Sequence, residues 1–114
     1  MNEQKPEISY DDFAKLDIRI GTVTAAELVP DTDKLITCTV DFGELGVRTI
    51  VSGIALFRSP ESLVGKQLPY IVNLAPRVLR GVESQGMLLA ASFGEKELAL
   101  LTPDVETPPG IQLK

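Results

Sequence analysis

The chain has 114 residues, of which 44% are hydrophobic and 24% are charged, and both fractions are typical of a globular protein. This length is enough for one domain with one hydrophobic core and excludes a second core of similar size. The net charge of -5 taken alone argues against a nucleic-acid-binding protein, because affinity for phosphate depends mainly on cationic side chains.

The first eight residues are polar and of mixed charge. We expect residues 1–8 to form a flexible tail or linker remnant, followed by a single domain over residues 9–114. These eight residues lack the cationic flank and apolar stretch of a secretory signal, and no part of the chain reaches the roughly eighteen consecutive apolar residues of a membrane span. We therefore expect a cytoplasmic protein without a membrane partner.

The first element is a short helix. Ser9 followed by Asp11 and Asp12 is typical of a helix start, because a hydroxyl and acidic side chains satisfy the free N–H groups there. A long strand follows from Asp17 to Leu28. Its apolar positions change face across Gly21, which predicts a β-bulge at that glycine.

The rest of the chain contains four more strand patterns. They are Leu35–Phe42, Val47–Val51, Gln67–Asn73 and Met87–Ser92. The third and fourth strands are joined by a helical connection from Ile54 to Lys66, in which Ser59, Pro60 and Glu61 resemble a helix start. Five strands with a helical insertion at this point predict an all-β fold, a five-stranded OB-fold barrel with a short N-terminal helix.

The residue inventory excludes most catalytic chemistry. The chain has no histidine and one cysteine, so a Ser-His-Asp triad, a Cys-His pair and a thiolate zinc site are all excluded. Gly65-Lys66 is followed by Gln67 and is therefore not a phosphate loop. Cys38 alternates in register with apolar residues, which indicates a core side chain. We expect no catalytic residue, no metal and no cofactor, and hence an accessory domain that is not itself an enzyme.

The segment from Asn73 to Met87 is the best candidate for a binding site. It carries Arg77 and Arg80 on a loop stiffened by Pro76, which would present both cations to a partner at low entropic cost. The alternative is a solvated loop with two incidental charges. The charge distribution favours binding of an anionic partner, since residues 61–94 carry three cations against two acidic residues.

Several segments resemble the tRNA-binding domain family. They are Asp17–Gly21, Asp33–Leu35, Val51–Ala55, Asn73–Arg77, Gly81–Met87 and Leu100–Asp104. The family includes the C-terminal domain of bacterial methionyl-tRNA synthetase and stand-alone structure-specific tRNA-binding proteins. The resemblance extends from about Ile8 to Lys114 and is greatest with the synthetase domain. It implies an OB-fold that holds folded tRNA, free-standing or attached to a synthetase catalytic domain.

The resemblance also implies site residues. Matched to the family motifs, the tRNA-binding positions are Lys34, Asn73, Arg77, Arg80, Ser84 and Met87. Ala75 stands where many members have lysine, so we expect weaker binding. The alternative on the same fold is a protein-binding export chaperone of the CsaA type, which differs at Val51–Ala55 and Glu83–Met87. Binding of single-stranded nucleic acid, with its bases stacked on aromatic side chains, is less favoured, because the chain has only six aromatic residues and no tryptophan.

The C-terminal third predicts a homodimer. Met87 to Ala91 is apolar at consecutive positions, and since side chains alternate faces along a strand, one set must point out of the barrel. Leu98 to Leu101 repeats this pattern. A partner subunit that offers the same surface would cover both segments. The expected interface residues are Met87, Leu88, Leu89, Leu98, Leu100 and Leu101.

Overall fold

A computed structural model describes residues 3–114 of the chain. Met1 and Asn2, which belong to the expected tail, lie outside the described residues. Residues 3–8 are exposed and form neither helix nor strand. Among residues 3–114, no helix has the length and apolar character needed to cross a membrane.

The described chain is mostly β. Its helices and strands are α1 (Tyr10–Phe13), β1 (Ile18–Leu28), β2 (Ile36–Asp41), a 3-10 turn (Gly43–Leu45), β3 (Val47–Ser52), α2 (Pro60–Leu63), β4 (Gln67–Ile71), β5 (Arg77–Leu79), β6 (Val82–Ser84), β7 (Met87–Leu88), β8 (Ala90–Phe93) and β9 (Glu97–Leu100). The predicted helix start at Ser9 is confirmed, since its hydroxyl accepts from the Asp12 amide.

Five antiparallel strands form a nearly closed barrel in the order β3-β2-β1-β4-β7. The long β1 belongs to both halves of the barrel, because its first residues pair with β4 and its later residues pair with β2. The interior holds large side chains in close contact, including the rings of Phe42 and Tyr70, which meet edge to face at 5.5 Å. The predicted all-β OB-like barrel is therefore confirmed.

The bulge predicted at Gly21 was wrong in its position. The register of β1 against β2 shifts between Val23 and Ala25 instead. Gly21 has a different role: a Cβ added there would lie 2.6 Å from the Phe42 ring and would also overlap the Val40 side chain. Glycine is needed at this position because core side chains pack directly against the backbone. A glycine in a strand pattern can indicate either a bulge or such close packing, and the pattern alone does not distinguish them.

The predicted fifth strand is divided at Leu89. Residues Met87 and Leu88 pair with β4, whereas β8 pairs with β9 to form a separate hairpin. The division occurs where the pairing partner changes, and the Leu89 amide donates to the Pro69 carbonyl at 3.0 Å. The continuous apolar pattern gave no sign of this change of partner.

The C-terminal residues complete the barrel edge. The first half of β1 has β4 on one side only, because β2 begins to pair at Thr22. Its other side is covered by the chain end: Ile20 donates to the Ile111 carbonyl at 3.0 Å and Leu113 donates to the Ile18 carbonyl at 2.8 Å. Hence the C-terminal extension is held as part of the folded domain.

Candidate functional site

The segment predicted as a cationic loop is a β-hairpin. Strands β5 and β6 pair from Arg77 opposite Ser84 to Leu79 opposite Val82, and the turn between them has two residues. Arg80 and Gly81 occupy this turn with φ angles of 50° and 82°. Positive φ at both central positions is typical of a type I′ turn, where Asn-Gly is the preferred pair. The hairpin therefore presents Arg80 at its tip.

The base of the hairpin is bonded to the barrel. Ser84 is buried, and its hydroxyl accepts from the Val51 amide at 2.9 Å and donates to the Gly86 carbonyl at 3.2 Å. Beside it, the Gln85 amide donates to the Thr49 carbonyl at 2.8 Å. These contacts close the barrel between β3 and β6 and fix the direction of the hairpin. Among the expected binding residues, Ser84 is thus placed for support, with no exposed polar group.

Asn73 also makes internal contacts. Its side-chain oxygen accepts from the Asp17 amide at 2.8 Å, and its side-chain nitrogen donates to the Lys15 carbonyl at 2.7 Å. These two bonds join the end of β4 to the junction between α1 and β1. Asn73 therefore orders the chain next to the hairpin, and its hydrogen-bonding groups are largely occupied.

Arg77 and Met87 meet in a small cleft of about 200 Å³ between the two hairpins. Residues Ser52, Gly53 and Ile54 lie at the end of β3 and form its third side. Lys34 belongs to the adjoining loop, because its carbonyl accepts from the Ala55 amide at 3.1 Å. The fold thus bonds the Lys34 loop to the segment that forms one side of the cleft with Arg77 and Met87, although these residues are distant in sequence.

The cations at this face are uncompensated. The ion pairs within residues 3–114 join Lys15 to Asp12 at 3.4 Å and Arg19 to Asp17 at 2.8 Å. Lys34, Arg77 and Arg80 are exposed and have no acidic partner in that part of the chain. Their positive charge is consequently available to an anionic ligand.

Two supporting arginines were missed by sequence reasoning. Arg48 Nη1 donates to the carbonyls of Val72 and Gln85, beside the base of the hairpin. Arg58 Nη2 donates to the Leu98 carbonyl at 2.9 Å and so holds β9 next to the cleft. Both side chains bond to backbone carbonyls that are remote in sequence, and no local pattern indicates such contacts.

The expected interface residues divide into groups. Leu88, Leu98 and Leu100 are partly buried and pack against the core. Leu89 and Leu101 line a groove of about 400 Å³ whose walls are almost entirely apolar. The groove is lined by Ile18, Ile20, Pro69, Leu89, Leu101, Thr102, Pro103, Thr107, Ile111 and Leu113. Met87 lies apart from it, in the cleft beside Arg77.

The single thiol lies away from the cationic face. Cys38 is buried within the core cluster, and burial raises the pKa of its thiol to about 11. A protonated, buried thiol is a poor nucleophile. In residues 3–114, no group of three or more acidic or thiol side chains is arranged to hold a metal ion.

Comparison with known proteins identifies the family. The family model for a tRNA binding domain matches residues 18–112. A methionine–tRNA ligase of Flavobacterium psychrophilum is 55% identical over 102 residues, which are 90% of this chain and 15% of the ligase. A methionine–tRNA ligase of Porphyromonas gingivalis is 52% identical over 108 residues, 95% of this chain and 16% of the ligase. The chain therefore spans only a small part of these relatives.

Solved structures agree with this assignment. A MetRS related protein from Pyrococcus horikoshii superposes with a TM-score of 0.90 at 40% identity, and the match covers 96% of this chain and 100% of that protein. The chaperone CsaA from Bacillus anthracis superposes with a TM-score of 0.87 at 35% identity, again over 96% of this chain and all of that chain. With a family match over most of its length and the same barrel as these proteins, the chain belongs to the tRNA binding domain family.

Proposed function

We propose that this domain binds folded tRNA through the face that carries Lys34, Arg77, Arg80 and Met87, and that it performs no chemistry. The observation that carries the proposal is the position of Arg77 and Arg80, exposed and without acidic partners on a hairpin bonded to the barrel. A rigid support lets the cations meet phosphates at fixed spacing. Asn73 and Ser84 act indirectly, by positioning the hairpin.

Recognition is of shape and backbone. The β5–β6 hairpin carries no aromatic side chain, so it offers no surface on which bases could stack. Among the exposed aromatics, Tyr10 and Phe13 of α1 pair with each other at 6.3 Å between ring centres, and Phe93 of β8 is 57% exposed on the neighbouring hairpin. Cations on a hairpin without aromatic side chains favour contacts to phosphates of folded RNA, which leaves little preference for one tRNA species over another.

The test is a titration with bulk tRNA beside an unfolded RNA of equal length, at several salt concentrations. Arg77→Ala and Arg80→Ala should each weaken tRNA binding and lower the salt slope by about one unit per lost phosphate contact. Lys96→Ala is the matched control, since Lys96 is an exposed cation in the β8–β9 turn. Unchanged slopes in both arginine variants would move the site elsewhere, and equal affinity for both RNAs would rule out recognition of folded RNA.

The parent protein is proposed to be a cytoplasmic methionine–tRNA ligase or a free-standing relative. The chain covers 15% of the Flavobacterium psychrophilum ligase, so an appended role beside a catalytic portion fits its size. In that setting the domain raises the local concentration of tRNA near the active site. Arg77→Ala in a full-length ligase should raise KM for tRNA and leave kcat unchanged. A loss of kcat alone would assign the arginine a different role.

A homodimer formed through the apolar groove is also proposed. Leu101, Ile111 and Leu113 are 50%, 46% and 41% exposed, and all three line the same groove, so they form a contiguous apolar surface. A second copy offering the same surface would cover it. Light scattering at micromolar concentration should give a dimer mass, and Leu101→Asp should give a monomer. Val47→Asp is the control, since Val47 is 61% exposed at the start of β3 and does not line the groove. A monomer mass for the unaltered chain would contradict the dimer.

A second candidate function is binding of extended protein segments, as in the CsaA-type chaperones. The same apolar groove favours it, because it is lined by leucine, isoleucine and proline side chains. A labelled apolar peptide distinguishes the candidates. If bulk tRNA fails to compete with the peptide and Leu101→Asp abolishes peptide binding, the groove serves protein clients. If the unaltered domain does not bind the peptide, this second function is excluded.

A further inference from the structure

Gly53 is unlike the other glycines of the chain. All nine lie within the described residues, and seven have a positive φ that favours glycine. These seven are Gly43, Gly46, Gly65, Gly81, Gly86, Gly94 and Gly110. Gly21 is explained by packing against Phe42. Gly53 has neither reason, because its φ is ordinary and an added Cβ would meet only Leu35 Cδ2, at 3.9 Å.

The backbone of Gly53 also has unused hydrogen-bonding groups. In an antiparallel sheet, alternate residues of a strand direct their N–H and C=O groups to the same edge. Thr49 and Val51 direct theirs towards β6, where Gln85 and Ser84 are their partners. After Val51, Gly53 is the next residue whose N–H and C=O groups point to this edge. Neither its N–H nor its C=O meets a hydrogen-bonding partner among residues 3–114.

The free amide lies where the two hairpins separate. Gly53 is exposed and forms part of the cleft that also contains the uncompensated Arg77. Gly53 directly follows β3, and a glycine that no backbone conformation or packing requires can mark the close approach of a ligand. Here a residue without a side chain, whose amide has no partner among the described residues, and an arginine line one cleft.

We propose that the cleft binds one phosphodiester group of the RNA, with an oxygen accepting from the Gly53 N–H and Arg77 neutralising its charge. This inference rests on the proposed tRNA binding and adds a defined contact to it. Backbone amides together with arginine are a frequent arrangement for phosphate, because the amide fixes position and the guanidinium supplies charge. The cleft of about 200 Å³ is large enough for a group of this size.

Gly53→Ala tests this contact without disturbing the fold, since the added methyl group meets only Leu35. We expect unchanged or higher thermal stability, because alanine restricts the unfolded chain more than glycine does. We expect binding of bulk tRNA to weaken by about tenfold or more, as for loss of a hydrogen bond to a charged group. Alanine keeps the N–H, so the expected loss comes from the methyl group crowding an anion held against that amide, with the surface charge unchanged.

Gly46→Ala is the matched control at the opposite end of β3. Its φ of 87° makes alanine strained there, although no atom lies within 4 Å of the added Cβ. We therefore expect lower stability and unchanged tRNA affinity, the reverse of the Gly53→Ala result. A parallel loss of affinity in both variants would mean that Gly53→Ala acts through general stability, and the proposed contact would be overturned.

The double variant Gly53→Ala with Arg77→Ala tests whether both residues hold the same phosphate. If they do, its loss of affinity is smaller than the product of the two single losses. Independent, multiplicative losses overturn the shared contact, and wild-type affinity in Gly53→Ala overturns the role of Gly53. Both results leave tRNA binding by the domain intact. Failure of the unaltered domain to bind tRNA would instead reject the proposed function on which this contact rests.

Discussion

The Ser84 hydroxyl accepts a hydrogen bond from the Val51 amide at 2.9 Å, so a buried side chain of the cationic hairpin is bonded to the backbone of the barrel. This contact continues the pairing of β3 at the point where no backbone partner is available. The positions of Arg77 and Arg80 relative to the barrel therefore depend on a residue that does not itself reach the surface.

Ser84→Ala should lower both stability and tRNA affinity. The Val51 amide would remain buried without a partner, which costs about 1–3 kcal/mol in the free energy of unfolding. Denaturant unfolding and tRNA titration measure the two effects. Ser62→Ala is the control, since its hydroxyl is exposed and bonds locally to the Ser59 carbonyl. Unchanged stability in Ser84→Ala would contradict the anchoring role.

Arg80→Asn should increase stability and decrease tRNA affinity. Arg80 has a φ of 50°, a left-handed conformation that costs an ordinary side chain roughly 1–2 kcal/mol and that asparagine tolerates. Thermal unfolding should detect a gain of about 1 kcal/mol. Arg80→Lys retains both the charge and the strain, so it should resemble the unaltered domain in both measurements. Stronger tRNA binding by Arg80→Asn would exclude a phosphate contact at the hairpin tip.

The Cys38 thiol should be unreactive in the native protein at pH 8 and should react after denaturation. Burial raises the pKa of this thiol from 9.0 to about 11. A thiol-specific reagent, followed by absorbance with and without guanidinium, measures the difference. Rapid modification of the native domain would show that the core admits solvent at β2.

Alkaline pH should destabilise the fold. Burial first, and the charge of Cys38 second, raise the pKa of Tyr70 above its ordinary value of 10.0, in the same direction as the pKa of Cys38. Between pH 9 and 11 the unfolded thiol is ionised and the native thiol is not, so the free energy of unfolding falls as pH rises through this window. Cys38→Ala should remove the thiol contribution and retain the part due to Tyr70. A stability that does not change over this window would contradict the burial of both groups.

Gly21→Ala should destabilise the barrel by about 1–3 kcal/mol, because the methyl group would overlap the Val40 and Phe42 side chains. Denaturant unfolding measures the loss. The double variant Gly21→Ala with Phe42→Leu tests the cause, since a smaller side chain opposite the methyl group should recover part of the stability. Normal stability of the single variant would show that Gly21 is not limited by packing.

Much of the barrel could be predicted from the sequence because its strands are half-buried and alternate with a period of two. Ile36, Cys38 and Val40 face the core as this alternation requires. The helix start at Ser9 could also be predicted from neighbouring residues, since a hydroxyl and the acidic residues after it define it. The division at Leu89 was not predictable, because each half of that apolar segment is a plausible strand whichever partner it pairs with.

The sequence by itself determined the residue types available for binding and, through local alternation and capping, the order of the strands. Only the tertiary structure decided that Asn73 and Ser84 bond to backbone groups remote in sequence while Arg77 and Arg80 remain exposed and unpaired within residues 3–114, and that Gly53 lies in the cleft with Arg77. The physical reason is that hydrogen-bond partners such as Val51 and Asp17 are far away along the chain. These contacts depend on how the barrel closes, and no local sequence pattern indicates that.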